Sequence, residues 1–141
     1  MLQFNNPSFA AALHEIHVKA FRDPWTKENF IHLLQLPTTL GWMDEHGFLL
    51  VSDLGDTAEI LTFAVLPEFQ RQGIGSRLMQ ELLSWAQNNH KQAVFLEVAA
   101  DNNPALSLYK KMGFVISGKR PAYYKRGASH VDAICMKYPN E

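Results

Sequence analysis

Ile60-Leu61-Thr62-Phe63-Ala64-Val65-Leu66-Pro67-Glu68-Phe69-Gln70-Arg71-Gln72-Gly73-Ile74-Gly75-Ser76 decides how this chain is read, because an apolar run meets an amphipathic one across two glycines. The first part has the continuous apolar character of a strand covered on both faces, and Pro67 ends it. From Ile74 the pattern changes to helical spacing, with Ile74, Leu78, Leu82, Trp85 and Ala86 on one stripe before Asn88 and Asn89 close it. Gly73 and Gly75 permit a tight turn and close approach of a ligand to the backbone. A helix starting there directs unpaired N–H groups and its positive dipole end outward, so the turn reads as a seat for phosphate. Arg71 and Arg77 add positive charge. The competing reading is a helix that begins with glycines for the turn alone.

Upstream, Pro7 to Phe21 places Phe9, Leu13, Ile16, His17 and Ala20 at helical spacing, and Pro24 closes the run. Thr26 has the character of an N-cap for a second helix over Lys27 to Leu36, stopped by Pro37. Thr39 to Met43 and Phe48 to Ser52 flank Asp44-Glu45-His46-Gly47, the composition of a hairpin. Downstream, Ala93 to Val98 is a buried strand. Asn103 as N-cap and Pro104 in the first turn open a helix bearing Ala105, Leu108, Tyr109 and Met112, which Gly113 ends. Phe114 to Ser117 and Val131 to Met136 close the chain as antiparallel strands across a polar loop, Lys119 to Ser129. The order is that of an α/β domain with a mixed, mainly antiparallel sheet flanked by helices on both faces. A Rossmann domain is excluded, since the glycines fall in the second half without a dinucleotide fingerprint or a Walker lysine.

One domain over 1–141 is expected from the length and the 47% hydrophobic content. The first Lys or Arg is Lys19 and no apolar run nears a membrane span, so a soluble cytoplasmic protein is expected, with no membrane partner. The lone Cys135 excludes an internal disulfide, and its apolar neighbours favour a packed strand over a reactive thiol. A formal net charge of -1 argues against direct nucleic-acid binding. Yet residues 1–69 carry nine acidic against three basic side chains, and residues 70–141 five against ten. An anionic cofactor on the second half and a cationic substrate on the first would suit that division, as would ordinary solvated surfaces. His14 and His17 share a helix face with no third ligand nearby, so no metal is expected and both read as surface or partly packed residues.

Glu97 lies in an otherwise apolar strand, where burial raises a carboxylate's pKa and improves a general base. A strand-end glutamate paired with Lys or Arg is the alternative. Tyr109, on the apolar stripe of its helix, reads by itself as a core tyrosine. Trp25, Tyr123 and Tyr124 are aromatic residues in connecting segments, either packed or lining an acceptor groove.

Taken together, Gln70-Arg71-Gln72-Gly73-Ile74-Gly75, Leu96-Glu97-Val98, Asn102 to Phe114, and Tyr123-Tyr124 with His130 to Ile134 resemble the GCN5-related N-acetyltransferase (GNAT) family over nearly the whole chain. Within that family they are most similar to RimI-type enzymes, which acetylate the N-terminal alanine of a small-subunit ribosomal protein. The resemblance implies acetyl-CoA as co-substrate. Phe63, Ala64 and Val65 would contact the pantetheine arm, Arg71, Gln72, Gly73, Ile74, Gly75 and Ser76 the pyrophosphate, and Asn102 the cofactor further along. It also implies Glu97 as general base and Tyr109 as general acid in a ternary complex. Donors near Val65 would aid the thioester oxygen, with Trp25, Tyr123 and Tyr124 walling the acceptor groove. The arginine usual two residues after the glutamate is Ala99 here, which bears on peptide selection. A protein N-terminus is the expected partner, with the chain a monomer or weak homodimer. A small-molecule amine acceptor and a non-catalytic acetyl-CoA-binding module are the other readings.

Overall fold

In the computed structural model, which describes residues 1–139, seven strands and four α-helices build one sheet with helices against it. In chain order these are β1 (Leu2–Phe4), α1 (Ala10–Ala20), α2 (Lys27–Leu34), β2 (Thr39–Met43), β3 (Gly47–Asp53), β4 (Thr57–Val65), α3 (Ile74–Asn88), β5 (Ala93–Ala99), α4 (Asn103–Lys111), β6 (Val115–Arg126) and β7 (Ser129–Pro139). Short 3-10 turns at Pro7–Phe9 and Pro67–Phe69 lead into α1 and toward α3. The strand order is β1-β2-β3-β4-β5-β7-β6, and β4–β5 is the parallel pair in an otherwise antiparallel ladder.

The local signals explain most boundaries. Thr26 accepts a hydrogen bond from Asn29 N–H at 3.1 Å and so starts α2, as its position predicts. For α4 the cap lies one residue earlier than the spacing suggests. Asn102 accepts from Ala105 N–H at 3.3 Å, which puts Asn103 inside the helix and Pro104 at its second position. Gly113, at φ +102°, carries the chain out of α4. β1 was not expected; three residues suffice because Leu2, Gln3 and Phe4 pair with Met43, Trp42 and Gly41.

The polar loop expected over 119–129 is instead mostly strand. β6 and β7 form a long hairpin turning at Gly127–Ala128, with Arg126 opposite Ser129. Its outer half escapes the hydrophobic pattern because β6 is an edge strand with no buried residue. Tyr123 and Tyr124 therefore lie on a strand and not in a loop. The ladder is irregular between Arg120 and Tyr124, where Ala122 has φ +52° and donates its N–H to Asp132 at 2.9 Å.

Two apolar clusters lie on opposite faces. Leu49, Val51 and Ile60 pack with Leu78, Leu82 and Tyr109 under α3 and α4, whereas Phe48, Leu50 and Ala64 pack with Leu13, Ile16 and Phe30 under α1 and α2. Helices thus flank both faces, as expected, but α1 and α2 do not contribute to the cluster over β5, β7 and β6. The register steps at Leu61, since Leu50 pairs with Thr62 and Val51 with Ile60. This bulge carries Ile60 and Phe63 to the same cluster despite their odd spacing and bends β4.

Candidate active site

β4 and β5 are joined only at one end. Thr57, Ala58 and Glu59 pair with Ala93, Val94 and Phe95, and beyond them the two parallel strands have no further paired residues. Ile60 to Val65 therefore runs free of a neighbour on the β5 side, and a wedge opens toward the C-terminal ends of both strands, where ligands bind in open α/β sheets. Phe63, Ala64 and Val65 are on its β4 edge; Ala64 is buried beneath α1 and α2, while Phe63 and Val65 face the other cluster. Glu97 is on the β5 edge, directly opposite Cys135 of β7.

The glycine turn sits at the mouth of this wedge. Arg71 and Gly73 both have left-handed backbone, at φ +66° and +83°, and no side chain caps α3. The backbone N–H groups of residues 71 to 76 consequently have no acceptor among the described residues. Unpaired donors at the start of a helix are the chemistry that suits an anion, and a Cβ at Gly73 would point into open space. Gly75 has a different reason: its Cβ would lie 3.1 Å from Phe63 Cζ and 3.3 Å from Leu108 Cδ2, so glycine lets α3 approach β4 and α4. Gln70 Nε2 donates to Val65 O at 3.2 Å and ties the turn to the strand. Arg77 stands 3.8 Å from Asp44, an exposed and loose pair. The residues present fit a phosphate-bearing ligand reaching from the turn into the wedge.

Asn102, expected to touch the cofactor, spends its side-chain oxygen on capping α4; its amide nitrogen makes no bond among the described residues. Tyr109 projects from α4 into the apolar cluster, with its ring edge-on to Phe63 at 6.2 Å and near Phe114 at 5.9 Å. The residue is 8% exposed, and burial, followed by the neighbouring Tyr124, pushes its phenol well above the ordinary range. Its hydroxyl has no hydrogen-bond partner among the described residues. Since no fully buried side-chain N or O there lacks a partner, that hydroxyl must reach accessible space.

Glu97 corrects an expectation. It is not isolated among apolar groups: Arg120 Nη2 is 2.8 Å from its carboxylate, and the Glu97 side chain is 25% exposed. The strand-end pairing weighed as the alternative is the arrangement found, with the partner supplied by β6, two strands away. Tyr124 is half-buried beside this pair. Its phenol is pushed up by burial, then by Glu97 and Tyr123, against the opposing pull of Arg126 and Arg120. Glu97, Tyr124 and Tyr109 are thus electrostatic neighbours, brought together from β5, β6 and α4. Tyr123 is exposed and lies under the Arg120 guanidinium at 5.0 Å. Ala99 faces Ala133, and Arg120 pairs with that same residue from the other side, so a guanidinium enters the region from β6 rather than β5.

His17 differs most from its reading as a surface or partly packed residue. It is 1% exposed, with Nε2 3.1 Å from Thr62 Oγ1 and Nδ1 accepting the Trp25 N–H at 3.1 Å. Because Nδ1 accepts, the proton must sit on Nε2, which donates to Thr62. Burial, followed by the charge of His14, lowers its pKa to about 4, so it is neutral near pH 7. The alternating helical signal was there at position 17, but only the fold shows that β4 covers it. Trp25 packs against His17 and Phe30, at 5.3 and 5.4 Å, and belongs to the α1–α2 cluster. Among the described residues no three His, Cys, Asp or Glu side chains gather as metal ligands, and no helix is long and apolar enough to cross a membrane.

Comparison with known proteins agrees with this architecture. The acetyltransferase (GNAT) family model matches residues 10–114. A ribosomal protein bS18-alanine N-acetyltransferase of Salmonella typhimurium is 31% identical over 135 residues, covering 91% of this chain and 89% of that protein. The N-alpha-acetyltransferase RimI of Mycobacterium tuberculosis is 41% identical over 95 residues, 64% of this chain and 57% of its own length. The crystal structure of the ribosomal-protein-S18-alanine N-acetyltransferase from Escherichia coli superposes with a TM-score of 0.90 at 27% identity, over 99% of this chain and 94% of that one. A family match across most of the sequence, relatives of this identity and a sheet split at its parallel pair lead to one conclusion: the chain belongs to the GNAT family of acetyltransferases.

Proposed function

We propose that this protein acetylates the N-terminal α-amine of another protein, with an alanine-starting ribosomal protein as the leading acceptor, in a ternary complex with acetyl-CoA. The observation that carries this reading is the split between β4 and β5, with six unpaired N–H groups at its mouth and Glu97 on its far edge. The relatives named for ribosomal-protein alanine acetylation support the choice of acceptor, and such an acceptor implies a cytoplasmic setting. Residues 71 to 76 would hold the pyrophosphate, Phe63, Ala64 and Val65 would face the pantetheine arm, and the Asn102 amide would offer a further donor. Acetyl-CoA, when bound, supplies an acetyl thioester.

The chain's own groups manage the protons. An α-ammonium must lose a proton before its nitrogen can form the new C–N bond, and Glu97 is the carboxylate placed to accept it, directly or through water. As the C–S bond breaks, the departing sulfur needs a proton or a strong hydrogen bond. Tyr109 stays protonated because burial disfavours its phenolate, so it is always present as a donor. A raised phenol is a weaker acid, and its role is therefore to hold a hydrogen bond to the departing sulfur while the proton that completes the thiol comes from solvent. Among the described residues Cys135 is the one free thiol, and it is placed opposite Glu97 on β7; direct transfer without an enzyme-bound acetyl group fits this site.

The test incubates the protein with acetyl-CoA and an unfractionated proteome and reads newly acetylated N-termini by mass spectrometry, beside a panel of polyamines and amino acids. Acetylated alanine termini are expected. Turnover confined to small amines would overturn the acceptor, and acetyl-CoA binding without any transfer would overturn catalysis. Glu97→Gln should lower kcat/KM for the peptide by about 10²- to 10³-fold while leaving acetyl-CoA affinity near its original value.

A further inference from the structure

Three cations of β6 each meet an acid. Lys119 lies 3.7 Å from Asp132, Arg126 bonds Asp101 at 3.1 Å, and Arg120 holds Glu97 at 2.8 Å. The last pair differs in kind, because its acid is the group assigned to accept the substrate's proton. A carboxylate already bridged to a guanidinium has an oxygen occupied at the position where an incoming ammonium must dock.

We propose that Arg120 is a displaceable counter-ion of Glu97, holding the place of the acceptor's ammonium until the acceptor arrives and thereby setting the threshold for acceptor binding. The inference rests on the assignment of Glu97 as base. Arg120 is a positioning residue, since it touches Glu97 and not the reacting atoms.

Three features allow the guanidinium to leave. The Arg120 side chain is 55% exposed, and an ion pair so open to solvent is weakly held. Its backbone is paired with Ala133 at the last regular position before the ladder becomes irregular, and Pro121 and the left-handed Ala122 follow it. A second seat is already present, because the guanidinium carbon lies 5.0 Å from the centroid of the exposed Tyr123 ring. When an ammonium takes its place, one monovalent cation replaces another and the carboxylate never faces the wedge unpaired. The groups facing Glu97 are Arg120 and Tyr124 from β6, Cys135 from β7 and, through Tyr124, Tyr109 from α4. Arg126, over the Tyr124 ring at 5.7 Å and paired with Asp101, is the other cation beside this cluster, and Arg120 is the one that pairs with Glu97.

The exchange also times the chemistry. While Arg120 Nη2 lies 2.8 Å from the Glu97 carboxylate, that oxygen is not free to take a substrate proton, and the guanidinium's departure frees it only when an amine is present. The expected signature is a split between peptide KM and kcat. Steady-state kinetics of the full chain are measured with acetyl-CoA and an alanine-starting peptide for the unaltered protein, Arg120→Gln, Arg120→Lys and Glu97→Gln, each with circular dichroism to confirm folding. With Arg120→Gln, the peptide KM should fall by about 3- to 10-fold and kcat/KM should rise with it, while kcat stays within about twofold. The KM for acetyl-CoA should not move, and Arg120→Lys should return both parameters toward those of the unaltered protein. A peptide KM that rises or stays constant, or a kcat that falls as far as KM, overturns the proposal and makes Arg120 an anchor or a bystander. Lysine behaving like glutamine does the same, because charge would then not be the cause. Undiminished turnover by Glu97→Gln is a separate failure, that of the base assignment beneath it.

Discussion

Two polar clusters stand on either side of the place where β4 leaves β5, and they are built on opposite principles. On the β4 side, His17, Thr62 and the Trp25 N–H are sealed under α1 and α2; every ring nitrogen has a partner and the ring is neutral. On the β5 side, Glu97, Arg120, Tyr123 and Tyr124 are partly open to water, and their links are ion pairs and cation–π contacts. A buried bond left unmade costs the full desolvation of its group, so the first cluster fixes geometry. An exposed ion pair contributes little to stability, so the second does not fix geometry in the same way. The closed cluster holds the α1–α2 connection against β4, and the open one is left free to change partners.

The largest expected effect breaks the closed cluster with acid. His17 has a folded-state pKa of about 4 against 6.5 in the unfolded chain, so the unfolded chain binds the extra proton first. Its contribution is complete above about pH 6.5 and is lost as pH falls toward 4, by about 3 kcal/mol. Urea denaturation at pH 7 and pH 4.5 should show that loss, and His17→Gln should flatten the dependence; an equal slope in the variant would place the titration elsewhere.

Next comes Tyr109→Phe. Its hydroxyl has no protein partner among the described residues, so thermal stability should change by less than about 0.5 kcal/mol, while turnover should fall about 10²-fold with acetyl-CoA affinity near its original value. Equal losses in turnover and affinity would return Tyr109 to the role of core tyrosine. Thr62→Val should cost about 1–3 kcal/mol, because His17 Nε2 would be left as a buried donor with nothing to bond. If thermal unfolding shows no loss, the buried network does not hold the fold as described. Smallest is Lys119→Ala. Its pair with Asp132 spans 3.7 Å with both side chains exposed, and about 0.5 kcal/mol or less should be measurable by the same unfolding. A larger loss would mean that the open cluster is as rigid as the closed one.

Elements with their own local signal were legible in advance: the Thr26 cap, the stripe of α3, the continuous run of β4 and the glycine exit from α4. Those without one were not. β1 is three residues long and exists through its pairing with β2, and β6 buries nothing, so neither leaves a periodic trace. At the site, the glycine turn and the positions of Glu97 and Tyr109 were readable from spacing and family resemblance. Their surroundings were not, because Arg120 lies 23 positions from Glu97 and meets it only through the β5–β7–β6 register.

By itself, then, the sequence determined the elements from α1 to α4, the glycine turn at residues 71 to 76 and the family pattern, since each rests on residues within one or two turns of chain. Only the tertiary structure decided that the parallel strands separate after Glu59, that His17 is buried and neutral, and that Glu97 is shared with a cation. Those are properties of burial and charge, which depend on distant segments arriving at the same place and are therefore not written in any one of them.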